Sequence, residues 1–402
     1  MIYDEIVLGL GTVGSYYCSI NTNVSRLIID VGETDLSNTF ANDKEKQTDV
    51  LTRGRRFGPG GTSKIWGGQI VFDENYLKEQ HDITEVEINA VKNRLGIPLS
   101  KDKAPHVIGY WLHYWQRNLY KKFKKKLNGQ SILNGIVLSF KEKGGLVYVE
   151  VWHDNSTSTF IAKNLIVCLG AFETSRLLYQ SNVISNDIGF DDHISVSLKK
   201  NNLFEDFKLN DAPMKLRLGG IRTYRFVPDG QVGMFHHVYK NLGINIIKEL
   251  LFTKQKTLTE LRINEIFSFI KSILAIVFLL RVKSSEYTFS YDFATFDKVW
   301  GEVCFSKEKD KYGRYHIIVS RKELPLHFRN NEVLKEIPFV CIENPEIYHP
   351  SNLFAELLNK DLSISNMPMV KILSTGSLKN STSVNPTAAV FAIIEKFLNN
   401  EK

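Results

Sequence analysis

The segment Gly9-x-Gly11-x-x-Gly14 restricts what this chain can fold into more than any other feature. It follows a strand-like Glu5-Ile6-Val7-Leu8. In a strand–turn–helix unit, Gly9 permits the tight turn and Gly11 leaves room for the backbone to approach a phosphate. Gly14 lets the helix pack close to the strand. The amides and the helix dipole at such a turn face an anion. A second strand-like run, Arg26-Leu27-Ile28-Ile29, ends in Asp30. That is about the 20-residue separation at which a dinucleotide site places a carboxylate on a ribose. The plainer reading is a glycine-rich turn with a solvated aspartate, and the strand–turn–helix–strand context argues against it.

A matching signal lies near the other end. Asn385-Pro386-Thr387 opens a helix-like Ala388-Ala389-Val390-Phe391-Ala392-Ile393-Ile394, with Asn385 as N-cap and Pro386 as first helical residue. A chain that folds its last helix back onto an N-terminal dinucleotide site is expected to hold a large cofactor that also does chemistry.

At 402 residues the chain can build one large domain or two. Its apolar and charged contents are those of an ordinary globular protein. The basic run Lys121-Lys122-Phe123-Lys124-Lys125-Lys126 reads as a solvated helix face. It comes with no zinc-finger spacing and no RNA-binding aromatic signature, so nucleic acid is not an expected partner. Cys18, Cys168, Cys304 and Cys341 are far apart and show no metal spacing. No metal site is expected. Cys18 and Cys168 read as small core residues, which suits a reducing compartment. The first strand begins almost at Met1, so no signal peptide is expected and the location is read as cytoplasmic.

Residues 1–35 read as β–α–β, followed by a polar loop to about Thr52. A glycine loop covers Gly58 to Gly68. Residues 76–126 read as mainly helical, with Trp111, Tyr114, Trp115 and Tyr120 as aromatic anchors. Three alternating runs then suggest a meander, with Gly144-Gly145 and Asp154-Asn155-Ser156 as its turns. The meander feeds Asn164-Leu165-Ile166-Val167-Cys168-Leu169-Gly170, a continuous apolar strand of the kind buried on both faces. A helix from Ala171 to Gln180 follows, and residues 198–339 alternate strand-like and helix-like pieces without a nucleotide motif.

An oily stretch over 266–280 is interrupted by Lys271 and falls short of the roughly 20 residues that span a bilayer. The expectation is a buried helix of the second domain. The sharper alternative is an element lying peripherally at the inner face of a membrane, which Ile246 to Phe252 would join. Lys248, Lys254, Lys256, Arg262, Lys271 and Arg281 would supply its basic partners.

With these segments in order, the chain resembles the glucose–methanol–choline (GMC) family of FAD-dependent oxidoreductases. The Gly9–Gly14 fingerprint with Asp30 comes first, and Gly60-Gly61-Thr62-Ser63-Lys64-Ile65-Trp66-Gly67-Gly68 is similar to the family's flavin-embracing loop. Leu169-Gly170-Ala171-Phe172-Glu173-Thr174-Ser175-Arg176-Leu177-Leu178 resembles its second signature. Ile188-Gly189-Phe190-Asp191-Asp192-His193 resembles the segment that crosses to the substrate domain. Ser374-Thr375-Gly376 with Asn385-Pro386-Thr387 resembles the C-terminal flavin segment.

The resemblance implies an α/β fold: an FAD-binding, Rossmann-like domain with a β-meander, and a smaller α+β substrate domain. The first would comprise 1–75, 127–197 and 340–402, with a helical insert at 76–126, and the second 198–339. It implies FAD, held by Gly9, Gly11, Thr12, Gly14, Asp30, Gly61, Thr62, Ser63, Trp66, Gly67, Gly68, Gly170, Ala171, Thr375, Pro386 and Thr387. It also implies hydride removal from a CH–OH group of an alcohol, sugar or polyol, with the electron acceptor left open.

A neutral histidine suits the base that takes the hydroxyl proton. His349, in Ile347-Tyr348-His349-Pro350, is similar to the family's catalytic histidine, and Asn385 to its second active-site position. His193 reads as structural, and His236-His237 would point oppositely on a strand. The family's Gly-Thr and Arg-Met segment after the histidine is replaced here by Pro350-Ser351-Asn352-Leu353-Phe354, and the chain is short for the family. The alternative these departures motivate is a flavin-binding protein without redox turnover, lyase-like or part of a membrane-surface assembly.

Overall fold

The structure is a computed structural model. It describes residues 1–20, 24–32, 56–66, 68–97, 99, 106–112, 116–198, 216–217, 220–226, 234–240, 259, 261–267, 269–270, 287–294, 297–298, 300–321, 349–382 and 384–400. Strand β1 (Ile2–Leu8), helix α1 (Thr12–Cys18) and strand β2 (Arg26–Asp30) realise the β–α–β reading. The polar stretch 33–55 lies outside the described residues.

Further along come β3 (Gln69–Ile70), α2 (Glu74–His81), α3 (Glu85–Leu95), β4 (His106–Trp111) and α4 (Leu119–Leu127). Strands β5 (Ser131–Asn134), β6 (Ile136–Lys143), β7 (Leu146–His153) and β8 (Ser156–Val167) precede α5 (Ala171–Gln180). Both meander turns are left-handed, with positive φ at Gly144 and Gly145 and at Asp154 and Asn155. Two successive positive-φ residues give the turn whose twist matches a hairpin, and glycine, asparagine and aspartate accept it most readily.

One sheet runs β17-β18-β8-β1-β2-β5, where β17 is Ser363–Ile364 and β18 is Met367–Ile372. From β18 to β5 every pairing is parallel. Strand β8 belongs to two structures at once. Its first half pairs antiparallel with β7 from Ser156 to Ala162, and its second half pairs parallel with β1 up to Leu8↔Val167. The sequence reading made these two strands, Thr159-Phe160-Ile161-Ala162 closing the meander and Asn164 to Gly170 as a buried apolar strand.

The parallel strands are apolar throughout because both faces are covered. Val7, Ile28 and Ile166 face a core shared with α1, α3 and the last helix, α6 (Thr387–Asn400). Ile6, Leu8, Leu27, Ile29, Leu165 and Val167 face a second core with the meander and α5. The C-terminal helix does return to the first one. Tyr16 of α1 stacks on Phe391 at 3.9 Å, and its hydroxyl donates to Glu395 at 2.6 Å. Such an aromatic pair adds about 0.5–1.5 kcal/mol beyond its buried area. Buried Glu395 also accepts from Arg94 of α3. Beneath the sheet, Glu5 and Arg26 form a buried ion pair, and the Tyr17 hydroxyl donates to Glu5 at 2.9 Å.

Two further sheets complete the described fold. β9 (Ile188–Phe190), β15 (Gly301–Lys309) and β16 (Tyr315–Arg321) form one. Trp300, Val303, Ile317 and Val319 are buried in the same core as α5. The other sheet has the order β10-β14-β13-β12-β4-β3, with β11 on β12. Its remaining members are β10 (His193–Leu198), β11 (Leu216–Arg217), β12 (Gly220–Phe226), β13 (Met234–Lys240) and β14 (Tyr287–Ala294).

Residues 76–126 are therefore not a purely helical insert. β4 lies within them and pairs with β12, Tyr110 opposite Arg222. The burial expected over 266–280 also fails where it is described. Residues 263–267 and 269–270 are helical, and Ile266, Phe267 and Ile270 face solvent. Residues 271–286 and 241–258 lie outside the described residues. Among the described residues, no helix is long and apolar enough to cross a membrane, and no group of His, Cys, Asp and Glu could hold a metal.

Candidate functional site

Two adjoining cavities lie at the C-terminal edge of the parallel sheet. They share Gly11, Arg56, Phe57, Gly61, Cys168, Leu169 and Glu173, and so form one trough. The first cavity is bounded by Asp30 at the end of β2, by Ile136, Val137 and Leu138 of β6, and by Arg176 and Leu177 of α5. The second is bounded by Thr12, Thr62, Trp66, Gly170, Ala171, His349, Thr375 and Thr387. It encloses about 1210 Å³ between atoms, part of it open to solvent.

Asp30 is buried, and both its carboxylate oxygens accept backbone amides: Leu10 N–H at 2.6 Å and Gly32 N–H at 2.9 Å. Burial raises its pKa above the ordinary carboxylate value, and those two amides and Lys64 offset part of the rise. The glycine loop approaches the first turn closely. Gly60 N–H donates to Leu10 O at 2.7 Å, and a Cβ on Gly61 would meet Gly11 Cα at 2.9 Å. Trp66 is fixed by its indole N–H, which donates to Arg117 O at 2.7 Å.

His349 is half-buried, and the crossing segment fixes its backbone. Its amide donates to the Asp192 carboxylate at 3.0 Å. One residue back, Asp191 exchanges both backbone hydrogen bonds with Ser351, and its carboxylate accepts Asn352 Nδ2 at 3.0 Å. Asp191, Asp192, Ser351 and Asn352 are all buried. The residues that depart from the family after His349 thus have a structural role here: they seat the His349 segment on Asp191 and Asp192.

Of the residues expected at the cofactor, Gly9, Gly11, Asp30 and Gly61 line the first cavity. Gly11, Thr12, Gly61, Thr62, Trp66, Gly170, Ala171, Thr375 and Thr387 line the second. Gly14, Ser63, Gly68 and Pro386 line neither and stand behind the walls. Ser63 Oγ, for example, donates to Gly60 O and accepts Leu119 N–H, tying the loop to α4. Gly67 and Tyr348 lie outside the described residues.

Asn385 also lines neither cavity. Its Oδ1 accepts Thr387 N–H at 3.0 Å, the cap read from the sequence. Replacing it with alanine is expected to lower stability by about 0.5–2 kcal/mol, the usual effect of a lost cap. Thermal unfolding checks this, and a midpoint equal to wild type would show the cap to be idle.

Arg56 and Arg314 carried no signal in the sequence reading, while Glu173, Arg176 and Ser374 entered it only as parts of the signature segments. Arg56, Glu173, Arg176 and Arg314 all line the first cavity. Glu173 lies 3.5 Å from Arg176 and 3.7 Å from Arg314, whose guanidinium is also held by Asp310 at 2.7 Å. The Glu173–Arg176 pair is an i, i+3 spacing and was open to being found. Arg314 comes from the β15–β16 turn, far away in sequence. Ser374 is buried at the second cavity, and its Oγ has no hydrogen-bond partner among the described residues. Cys18 and Cys168 are buried, which pushes the Cys18 thiol up to about 12 and the Cys168 thiol well above its ordinary value. Both remain thiols rather than ligands or nucleophiles.

No family model matches the chain, and no curated protein matches it. Among solved structures, it is similar to pyridoxine 4-oxidase from Mesorbium loti, with a TM-score of 0.53 and 13% sequence identity. The likeness covers 99% of this chain and 98% of that one. At this identity the shared property is the fold, a mixed α/β architecture of the Rossmann-like type.

Proposed function

We propose that the chain is an FAD-dependent oxidoreductase of the GMC kind, acting on the CH–OH group of an alcohol, sugar or polyol. One observation carries this: a single trough has a dinucleotide turn and Asp30 at one end and His349 at the other. The walls fit FAD. The space beside Gly11 is open except for Gly61 Cα, 3.7 Å from where a Cβ would lie. A phosphate can therefore approach the backbone there. The first cavity presents three arginines against two carboxylates, a balance that suits a pyrophosphate. Ser374 Oγ offers a buried, unused hydrogen-bonding group to a polar ring.

When bound, FAD supplies the hydride acceptor of the reaction. The chain does the rest. Asp30 offers carboxylate lone pairs to a ribose, and the amides at Gly11 and Thr12 receive the phosphates. The start of α6 at Thr387 brings the positive end of a 14-residue helix to the second cavity. His349, held through its amide by Asp192, takes the hydroxyl proton as the C–H bond breaks. A further donor at the substrate oxygen is assigned to Asn385 by the resemblance, alongside its cap.

Purified protein is expected to carry FAD non-covalently, since no histidine or cysteine lies in the Gly60–Gly68 loop. Acid precipitation should release the flavin to the supernatant. Anaerobic incubation with a panel of primary and secondary alcohols, sugars and pyridoxine should bleach it with at least one member. Well-folded protein that takes up no FAD would overturn the cofactor assignment. Stable yellow protein that no alcohol bleaches would favour binding without redox turnover.

A further inference from the structure

We propose that the short helix beginning at Ile263 docks on an anionic lipid surface. Its backbone starts in an ordered way. Arg262 N–H donates to Glu265 Oε2 at 2.9 Å, and Ile266 N–H donates to Arg262 O at 3.0 Å. A glutamate three residues in that reaches back to the cap amide is a helix-start device. The helix is therefore set, and its exposed face is a defined surface.

That face is apolar. Ile263 is 73% exposed, Ile266 39%, Phe267 68% and Ile270 47%. Their spacing is i, i+3, i+4 and i+7, which puts all four on one side of the helix. Leu261, just before the helix, is buried, and Phe269 is half-buried. An amphipathic helix of a globular domain turns its apolar stripe to the core; here the stripe is turned to solvent. Single exposed apolar residues are ordinary, but a contiguous stripe marks a surface for docking.

Charge selects the occupant. Over residues 246–281 the sequence has six basic residues against three acidic ones, and the whole chain carries a net charge of +7. Lys271 follows the stripe directly, and Ile273-Leu274-Ala275-Ile276-Val277-Phe278-Leu279-Leu280 continues its oily character to Arg281. Apolar residues flanked by lysine and arginine suit the headgroup–acyl boundary of an anionic bilayer. A second copy of this chain would bring the same positive charge to the contact and be repelled by it. The uninterrupted apolar run in the sequence is shorter than the roughly 20 residues that span a bilayer, which favours a surface contact.

Co-sedimentation of the full chain with phosphatidylcholine vesicles, with and without phosphatidylserine, tests this. Wild type is expected to pellet with the anionic vesicles at low salt, to bind the neutral ones far less, and to be released by salt. Ile263→Glu with Phe267→Glu should reduce partitioning by roughly tenfold or more. Both sites are exposed, so the thermal midpoint and flavin content should stay at wild-type values, and retained flavin separates failure here from failure of the catalytic reading. No binding at low salt would overturn the proposal, as would binding that the double variant leaves intact. Equal binding to neutral vesicles would overturn the role of charge. A dimer in size-exclusion chromatography that the double variant makes monomeric, without vesicle binding, would assign the face to a second copy.

Discussion

His349→Ala is expected to lower the rate of flavin reduction by roughly 10²–10⁴-fold, the range lost when a positioned general base is removed. Flavin content should stay near wild type. The side chain stands at the wall of the second cavity, while the first cavity, with Gly11 and Asp30, is lined without it. This segment is held by the His349 amide on Asp192, the Ser351 backbone bridge to Asp191, and the Asn352 side chain on the Asp191 carboxylate. Those three contacts do not use the imidazole, so they remain in the alanine variant. Stopped-flow bleaching under anaerobic conditions, with any substrate the panel yields, gives the rate. A variant that reduces its flavin at the wild-type rate would remove the base assignment. Asn385→Ala makes a useful contrast, because it should lose stability through the cap with a smaller loss in chemistry.

What the sequence revealed, and what it hid, follows from how local each signal is. The first turn, Asp30 and the return of the last helix were all legible. The turn and the cap are signals within about ten residues, and Asp30 follows at the fixed separation of about 20 that one β–α–β unit imposes. The two meander turns were legible for the same reason: glycine, aspartate and asparagine tolerate positive φ. β4 was hidden, because a strand inside a helical neighbourhood is decided by its partner, β12, more than a hundred residues away. The length of β8 was hidden because its polar half is half-exposed and its apolar half buried, so burial changes while the strand continues. Arg314 and Asp191–Asp192 take their roles from tertiary proximity, which no spacing encodes. The oily stretch over 266–280 was visible as composition, but apolar composition does not say whether its face is buried or exposed, and Ile266, Phe267 and Ile270 face solvent.

The second and third glycines of the fingerprint should fail in different ways, and the difference tests what each does. At Gly14, an alanine Cβ would fall 1.9 Å from Gly9 O, a backbone atom, and 3.3 Å from Cys168 Cβ. Gly9 cannot give way. Its N–H donates to Ile29 O at 2.8 Å, its φ is +88°, and even a Cβ added to it would fall 2.9 Å from Cys168 O. Helix α1 must therefore lift off β1, which pulls Tyr16 from Phe391 and the Leu10 amide from Asp30. Overpacking of this kind typically costs 1–3 kcal/mol, and displaced backbone here places the effect at about the upper end or beyond. Gly14→Ala should thus show a lower unfolding midpoint and almost no bound FAD. Gly11 is the opposite case. Its φ is −69°, which any residue adopts, and an added Cβ would meet only Gly61 Cα at 3.7 Å. Gly11→Ala should unfold at the wild-type midpoint when free of flavin, yet bind FAD at least tenfold more weakly, because the methyl fills the space a pyrophosphate needs. Thermal unfolding of flavin-free protein, paired with FAD titration, reads both. If Gly11→Ala binds FAD as wild type does, the trough holds its ligand elsewhere and the dinucleotide assignment falls. If Gly14→Ala keeps its midpoint, the close seat of α1 on β1 is not what the third glycine supplies.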